Sequence, residues 1–198
     1  IVVCGVAPQV EYAVRNDTGK IPYGHTVHYS CDVGHTIEDG VLDAPTHWTV
    51  SCDADGTFGA GHSCHPVKCT VPSVANTEHT EGEFAVGETV NLECKDGHSV
   101  DGRAASATSL YAICGSDGAV NTVGDCKPIS CGTPTFVKSS VVDNREFLFP
   151  ENAAYECLAG YTTTGLASGS TSFTSACMAT GIFAPTSSCR AVSCGVYD

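Results

Sequence analysis

The chain has 198 residues and a formal net charge of −13, with only 9 Lys and Arg residues. This charge excludes a protein that works mainly on nucleic acid, because phosphates require a basic footprint, and it disfavours an anionic membrane surface as a partner. No apolar run approaches the roughly 18 residues that a transmembrane helix needs, so no membrane span is predicted in this segment.

Thirteen cysteines reveal an internal repeat. Their intervals are 27, 21 and 12 residues in the first group of four, 25, 20 and 12 in the second, and 26, 20 and 12 in the third, with a step of 5 between groups. We therefore predict three copies of one unit and the first cysteine of a fourth. The predicted organisation is a linker remnant at 1–3, modules at 4–64, 69–126 and 131–189, linkers at 65–68, 127–130 and 190–193, and the start of a fourth module at 194–198.

The two ends of the sequence resemble parts of the repeat. Residues 1–3 match the end of a linker, and residues 194–198 open another module. This favours a window cut from a longer array, and a processed N-terminus at Ile1 is the alternative.

The cysteines are best explained as disulfides. A unit of this length buries too little apolar surface to be stable without a staple. Four cysteines per unit supply that staple in an oxidising compartment, so we expect an extracellular protein, secreted or displayed at a cell surface. Structural zinc is the alternative, but zinc sites favour close Cys-x2-Cys pairs and no two cysteines here lie closer than 5 residues apart. Spacing alone leaves three connectivities open in each unit.

Residues 23–31 form the first clear predicted strand. Polar Thr and Ser alternate there with Val27, Tyr29 and Cys31, and a period of two is typical of a half-buried strand with the apolar side chains inside. Residues 86–94 repeat the pattern in the second unit.

A second strand precedes the third cysteine of each unit. Turn dipeptides such as Asp55-Gly56 follow it, as they do at the ends of hairpins. No helical period of useful length is present, so the sequence predicts an all-β fold. These second strands lie at 48–52, 110–114 and 172–177.

The polar loops are the predicted sites of glycosylation. Asn16-Asp17-Thr18 is an N-glycosylation sequon, which makes Asn16 the N-linked candidate. The loop before the third cysteine of the third unit is rich in Ser and Thr, which suits O-linked glycans on an exposed surface; ordinary solvated loop residues are the alternative. The O-linked candidates are Thr162, Thr163, Thr164, Ser168, Ser170 and Thr171.

No catalytic or metal-binding pattern stands out. Disulfide cysteines supply no thiolate nucleophile, and the sequence has no Gly-x-Ser-x-Gly elbow, His-Glu-x-x-His pair or phosphate-binding glycine loop. Six histidines between positions 25 and 65 would suit zinc or copper, but His28 lies on the outward side of its strand and Tyr161 takes the place of His35 in the third unit. Asp53-Ala54-Asp55-Gly56 lacks the closing Glu of a calcium loop and is predicted to be a turn. We therefore predict no enzyme, no cofactor and no metal.

Several features together resemble the sushi, or complement-control-protein, module. They are four cysteines at compatible intervals, a strand that ends aromatic-x-Cys-x-x-Gly-aromatic, four-residue linkers of the form x-Pro-Val-x, and a proline soon after the first cysteine. The resemblance covers all three units. The prolines are Pro8, Pro72 and Pro134.

The resemblance implies small disulfide-stapled β modules arranged end to end as an extended rod. It also implies that the first cysteine pairs with the third and the second with the fourth. Sushi modules usually carry a tryptophan between the third and fourth cysteines, where this chain has Phe58, Val120 and Phe183. The implied bonds are Cys4–Cys52, Cys31–Cys64, Cys69–Cys114, Cys94–Cys126, Cys131–Cys177 and Cys157–Cys189.

An open-ended array of near-identical units is suited to forming a long, extended structure. The leading hypothesis is a non-enzymatic extracellular structural protein, a glycan-covered filament, coat or stalk, whose partners are copies of itself or further modules of the same chain. The alternative is a cell-surface adhesion or protein-binding array, as sushi arrays commonly are. Residues 4–64 carry 8 acids against 2 bases and residues 69–126 carry 9 against 2, so this alternative favours a basic protein partner.

Overall fold

A computed structural model describes residues 1–78 and 81–193, and every regular element in those ranges is a β-strand. The predicted all-β fold is confirmed. The first strands are β1 Val3–Val6, β2 Ala13–Arg15, β3 Lys20–Pro22, β4 Thr26–Cys31, β5 His35–Thr36, β6 His47–Ser51 and β7 His65–Pro66. The middle strands are β8 Lys68–Thr70, β9 Glu83–Ala85, β10 Thr89–Glu93, β11 His98–Ser99, β12 Ser109–Cys114, β13 Val120–Val123 and β14 Lys127–Pro128. The last strands are β15 Ser130–Gly132, β16 Ser140–Val142, β17 Phe147–Leu148, β18 Asn152–Cys157, β19 Tyr161–Thr162, β20 Ser172–Ala176 and β21 Arg190–Ala191.

The same set of small sheets occurs three times. The three-stranded sheets have the orders β2-β4-β6, β10-β12-β13 and β16-β18-β20. In the middle third, the segment before β10 also pairs with the end of that strand, through a bridge between Thr77 and Cys94. One set of two-stranded ribbons is β1-β3, β8-β9 and β15-β17. The other is β5-β7, β11-β14 and β19-β21, and it ties each linker back to the turn that follows the second cysteine.

The alternation in the first predicted strand sets its buried face. Val27 pairs with Val50 and Tyr29 pairs with Trp48 across β4 and β6, and all four side chains are buried. The intervening His28 is exposed. Successive side chains of a strand point to opposite faces, so one face of this sheet builds the core and the other meets solvent.

Two disulfides close each third of the chain. In the first third, one bond joins Cys4 in β1 to Cys52, which directly follows β6. The other joins Cys31 at the end of β4 to Cys64, which lies just before the linker. The bonds are Cys4–Cys52, Cys31–Cys64, Cys69–Cys114, Cys94–Cys126, Cys131–Cys177 and Cys157–Cys189.

The chain divides into two compact units. Both of them take residues from the middle third of the sequence. The module boundaries given above stay a prediction. The first unit consists of Ile1–Pro72, Thr80–Asn91 and Tyr111–Val123, and the second of Ser73–His79, Leu92–Leu110 and Gly124–Asp198.

Each unit contains an apolar core built around a cross-strand aromatic stack. In the first, Tyr29 lies flat against Trp48 with ring centroids 4.9 Å apart. In the second, Tyr155 lies flat against Phe173 at 4.8 Å. These large rings and the adjoining disulfides provide the core of a unit that has little other apolar material.

Candidate interaction surfaces

Each linker is fastened to the glycine of the repeated Cys-x-x-Gly motif. The glycine has a positive φ in all three copies, between 73° and 82°, a conformation in which a side chain is disfavoured. Its carbonyl accepts a hydrogen bond from the apolar linker residue. The three bonds run from Val67 to Gly34, from Ile129 to Gly97 and from Val192 to Gly160, at 2.8–2.9 Å.

An apolar side chain packs against this glycine at two places. Val86 and Phe149 each donate their backbone N–H to a linker carbonyl at 2.9 Å. A Cβ at Gly34 would lie 2.8 Å from Val86 Cγ2, and a Cβ at Gly97 would clash with ring carbons of Phe149. The first contact lies within the first compact unit and the second within the second unit, so the same glycine-against-apolar geometry recurs at both junctions.

A surface ion pair accompanies the first of these junctions. Lys68 Nζ donates to Asp39 Oδ2 at 2.9 Å. This hydrogen bond lowers the pKa of Asp39 and raises the pKa of Lys68. Because both side chains are partly exposed, the pair contributes little to stability, and the apolar contact at the glycine is the more important interaction.

The outer face of the middle sheet carries two large apolar side chains. Tyr111 and Ile113 alternate along β12 with buried Leu110 and Ala112, and their exposed fractions are 54% and 40%. Counted back from the third cysteine of each module, the equivalent positions hold Thr49 and Ser51 on β6, and Thr174 and Ala176 on β20. The middle module therefore differs from its neighbours by an exposed aromatic–aliphatic pair on a sheet face.

Residues 69–126 also carry many exposed acids. The same residues include only two exposed bases, Lys95 and Arg103. The surface of the middle module is therefore strongly negative. The acids are Glu78, Glu81, Glu83, Glu88, Glu93, Asp96, Asp101, Asp117 and Asp125.

Two shallow depressions lie on the other modules. One of about 380 Å³ lies on the outer face of the first sheet, over Val14, His28 and His47. The other, of about 370 Å³, lies beside Phe136 and Val141 in the third module, and Phe136 is 80% exposed. Both are open. Polar side chains also line them: Arg15, Asn16, His28, Ser30 and His47 the first, and Ser140 and Asn144 the second.

The predicted N-linked site lies in an exposed position. Asn16 follows β2, and its side-chain Oδ1 accepts a hydrogen bond from the backbone N–H of His28 at 2.9 Å. Asp17 and Thr18 are exposed as well. A glycan at Asn16 would stand beside the depression over His28.

The O-linked candidates divide by burial. Thr164, Ser168, Ser170 and Thr171 are exposed and Thr163 is half-buried. Thr162 is only 4% exposed, and its hydroxyl donates to the carbonyl of Leu166 at 2.9 Å and accepts from the backbone N–H of Gly165 at 3.0 Å. A hydroxyl held in this way is not available to a glycosyltransferase, so Thr162 is removed from the candidates.

The buried hydroxyl at Thr162 is part of the repeat. Thr36 and Ser99 occupy the same place after the motif, and both are buried. Thr36 donates to the carbonyl of Glu38 at 2.8 Å, and Ser99 donates to that of Arg103 at 2.8 Å. All three units have Thr or Ser at this position, so the sequence could have indicated a structural role. The hydroxyl hydrogen-bonds the backbone of its own loop and is not a modification site.

Two histidines of the first module pack against aromatic rings. His35 stacks on Tyr12 at 4.4 Å and His62 meets the edge of Trp48 at 5.9 Å. Within residues 1–78 and 81–193, no group of three or more His, Cys, Asp or Glu side chains is placed to hold a metal ion.

The Asp53–Gly56 segment forms a turn. The backbone N–H and the hydroxyl of Thr57 both donate to Asp55 Oδ1, and they lower the pKa of that carboxyl. Its oxygen therefore orders the turn. In the described part of the chain no helix is long and apolar enough to cross a bilayer.

Comparison with known proteins decides the family. The model of the sushi repeat (SCR repeat) family matches residues 67–119. "Sushi, von Willebrand factor type A, EGF and pentraxin domain-containing protein 1" of Mus musculus is 30% identical over 196 residues, and the Rattus norvegicus protein of the same name is 30% identical over 173 residues. The chain is built of tandem sushi modules.

The relatives differ in how much of their length this chain spans. It covers 5% of the mouse protein and 4% of the rat protein, whereas those alignments take in 96% and 85% of this chain. "Complement control protein C3" of vaccinia virus (strain Western Reserve) is 23% identical over 162 residues, which are 79% of this chain and 58% of that protein. Sushi modules are generally non-enzymatic binding modules, and the many disulfides together with these relatives indicate an extracellular protein.

These sushi modules depart from the usual pattern in their aromatic residues. Phe58 bridges to Cys52 and Phe183 bridges to Cys177, at the positions where a tryptophan is usual. The single tryptophan, Trp48, lies instead on β6. The aromatic residue next to the disulfide is thus a phenylalanine in the first and third modules, and the tryptophan of the first module lies on the neighbouring strand.

Proposed function

We propose that this chain is part of a non-enzymatic extracellular protein-binding array, and that the outer face of the middle module is its contact surface. The observation that carries this proposal is the exposed pair Tyr111 and Ile113 on β12. Protein interfaces are enriched in aromatic residues, and tyrosine is among the residues that most often dominate the binding energy. The outer faces of the neighbouring modules present smaller or polar side chains at the same positions.

The net charge of residues 69–126 indicates the kind of partner. Nine exposed acids against two exposed bases in residues 69–126 favour a partner with a basic surface, and complementary charge accelerates association with such a partner. The names of two relatives, vaccinia "Complement control protein C3" and "Complement factor H" of Bos taurus, which is 25% identical over 150 residues, refer to complement. Complement components are therefore the first candidates.

Tyr111→Ser tests the contact surface. The native chain and the variant are immobilised, and purified plasma complement components are passed over each while affinity is measured. We expect one component to bind the native chain and to bind Tyr111→Ser at least tenfold more weakly, because loss of a central tyrosine typically removes about 2 kcal/mol or more.

Val141→Ser is the matched control. Val141 lies on an edge strand of the third module and is 60% exposed, so its loss removes a similar amount of exposed apolar surface elsewhere. We expect this variant to bind as the native chain does. Equal affinities of Tyr111→Ser and the native chain, or no binding by any component, would contradict the proposal.

A second candidate function is a head-to-tail filament, coat or stalk. It is supported by the repeated glycine-against-apolar contact at Gly34 and Gly97, since a contact that does not close on itself generates open assemblies. The third glycine, Gly160, has no heavy atom within 4 Å of its Cβ position in the described part of the chain. Sedimentation velocity of the native protein tests this: a filament former gives species that grow with concentration, and one monomeric boundary at all concentrations contradicts it.

Glycans belong to the same extracellular proposal. Asn16 and the exposed members of the Ser/Thr-rich loop are the sites that we propose to carry them, since all are exposed. The bare 198-residue chain has a mass of 20.4 kDa, and the same mass for this chain secreted from a glycosylating host would contradict this part of the proposal.

A further inference from the structure

A small apolar pocket opens into the core of the first module. Tyr29, Trp48, Val50 and Phe58 form its walls. The pocket has a volume of about 80 Å³, against about 150 Å³ for a cavity that holds a benzene ring. There is room for an aliphatic group of a few carbons.

Trp48 brings an unpaired hydrogen-bond donor to this pocket. Its side chain is 8% exposed, and its Nε1–H is buried without a partner among the described residues. A buried indole N–H ordinarily has an acceptor. A Cβ on Gly61, an exposed residue that also lines the pocket, would lie 3.7 Å from Nε1. The donor therefore lies close to the backbone of Gly61 in the pocket wall.

The repeat shows which residues create the pocket. The third and fourth cysteines of every module are 12 residues apart, so positions between them correspond one to one. Gly59 and Gly61 take the places that Ala184 and Thr186 hold in the third module. The first module therefore has no side chain at the two positions where the third module has one.

The aromatic partner also differs between these modules. Trp48 stacks on Tyr29 as Phe173 stacks on Tyr155, at nearly the same distance and angle. Phenylalanine has no N–H, so the third module has the stack without the donor. The first module thus combines an open wall with a donor that its packing does not require.

We propose that this pocket binds an aliphatic side chain of a partner polypeptide, of the size of Val, Leu or Pro, whose main-chain carbonyl accepts a hydrogen bond from Trp48 Nε1. The aliphatic group would contact the Tyr29 and Phe58 rings, and the carbonyl would satisfy the donor. A peptide places an acceptor within a few bonds of each side chain, as this arrangement requires. A charged group does not fit, because no lining residue carries a charge. This site is separate from the Tyr111 face and does not depend on it.

The single tryptophan makes the site directly observable. Trp48 is the only tryptophan in the chain, so the protein has one tryptophan fluorescence signal and one indole N–H resonance in a nitrogen-15 NMR spectrum. The probes are N-acetyl-leucinamide and N-acetyl-prolinamide, titrated into the full chain. We expect a saturable change in Trp48 fluorescence and a downfield shift of the indole proton with at least one of them.

Two controls test separately the aliphatic side chain of the ligand and the open wall of the pocket. N-acetyl-glycinamide has the carbonyl groups but no aliphatic side chain, and we expect it to bind at least tenfold more weakly. Gly61→Thr gives the first module the residue of the third; Gly61 has no positive φ and its added Cβ meets only ordinary contacts at 3.7 Å, so the fold is retained. The saturable response should fall at least tenfold in this variant. A response that does not saturate, as expected if water alone fills the pocket, or that is unchanged in Gly61→Thr, would overturn the proposal.

Discussion

Gly97→Ala is expected to lower the free energy of unfolding by about 3 kcal/mol. Gly97 has a φ of 73°, where a side chain is strained, and the new Cβ would clash with ring carbons of Phe149. The Phe149 ring must therefore move away from the linker that it covers. Chemical unfolding followed by far-ultraviolet circular dichroism measures the loss.

Gly160→Ala is the matched control for this prediction. Gly160 occupies the same place in the third copy of the motif with a φ of 82°, and its Cβ position has no close neighbour in the described residues. Its replacement carries only the backbone strain, about 1 kcal/mol. Removing the ring as well, in Gly97→Ala with Phe149→Ala, should cost less than the sum of the two single changes, because the ring can clash only once. Equal losses at Gly97 and Gly160 would show that the Phe149 contact does not matter.

Loss of the Cys4–Cys52 bond is expected to unfold the first module. The bond joins residues separated by 48 positions, and closing a loop of that length stabilises the native state by about 4 kcal/mol in the chain-entropy estimate. This is close to the whole stability that a core of this size supplies. In the double variant Cys4→Ser, Cys52→Ser, the fluorescence of Trp48 should shift to that of a solvent-exposed indole.

The equivalent change in the third module provides the comparison. Cys131→Ser with Cys177→Ser removes a bond of nearly the same loop length, 46 positions, from the other compact unit. Trp48 should keep its native emission there, while circular dichroism reports the loss of structure. Native Trp48 emission in the first-module variant would contradict a stapled, marginally stable core.

The strands that build the core could be predicted because their sequence pattern has a single interpretation. In residues 26–31 the apolar side chains alternate with Thr, His and Ser, so the pattern fixes both the strand and its buried face. The cysteine intervals located the three copies, since a repeated spacing needs no knowledge of the fold. The family followed from these two features together.

Several parts of the candidate surfaces could not be predicted. In β12 both sets of alternating side chains are apolar, Leu110 and Ala112 on one face and Tyr111 and Ile113 on the other, so the sequence does not say which pair is exposed. Two-residue strands such as β5 and β11 are too short to show a period. Thr162 was misassigned because a polar loop suggests exposure, whereas its hydroxyl binds backbone atoms of its own loop.

The pocket beside Trp48 also could not be predicted from the sequence, because it depends on how the chain folds. The sequence shows a glycine at position 61 and a tryptophan at position 48, but nothing in it brings the two together. Their contact depends on the segment after Phe58 folding back along β6, where Gly59 donates its N–H to Ser51 at 3.0 Å. Only then does the absence of a side chain at Gly61 expose the wall of the aromatic stack.

The most direct test of the binding proposal is hydroxyl-radical footprinting of the native chain with and without the complement component that binds it. Tyr111 and Tyr23 are exposed to similar extents, 54% and 58%, so Tyr23 in the first module is an internal reference for labelling. We predict that the complex protects Tyr111 from oxidation severalfold and leaves Tyr23 labelled as in the free protein. Unchanged labelling of Tyr111 in a complex that forms would contradict the assignment of the middle module's outer face as the contact surface.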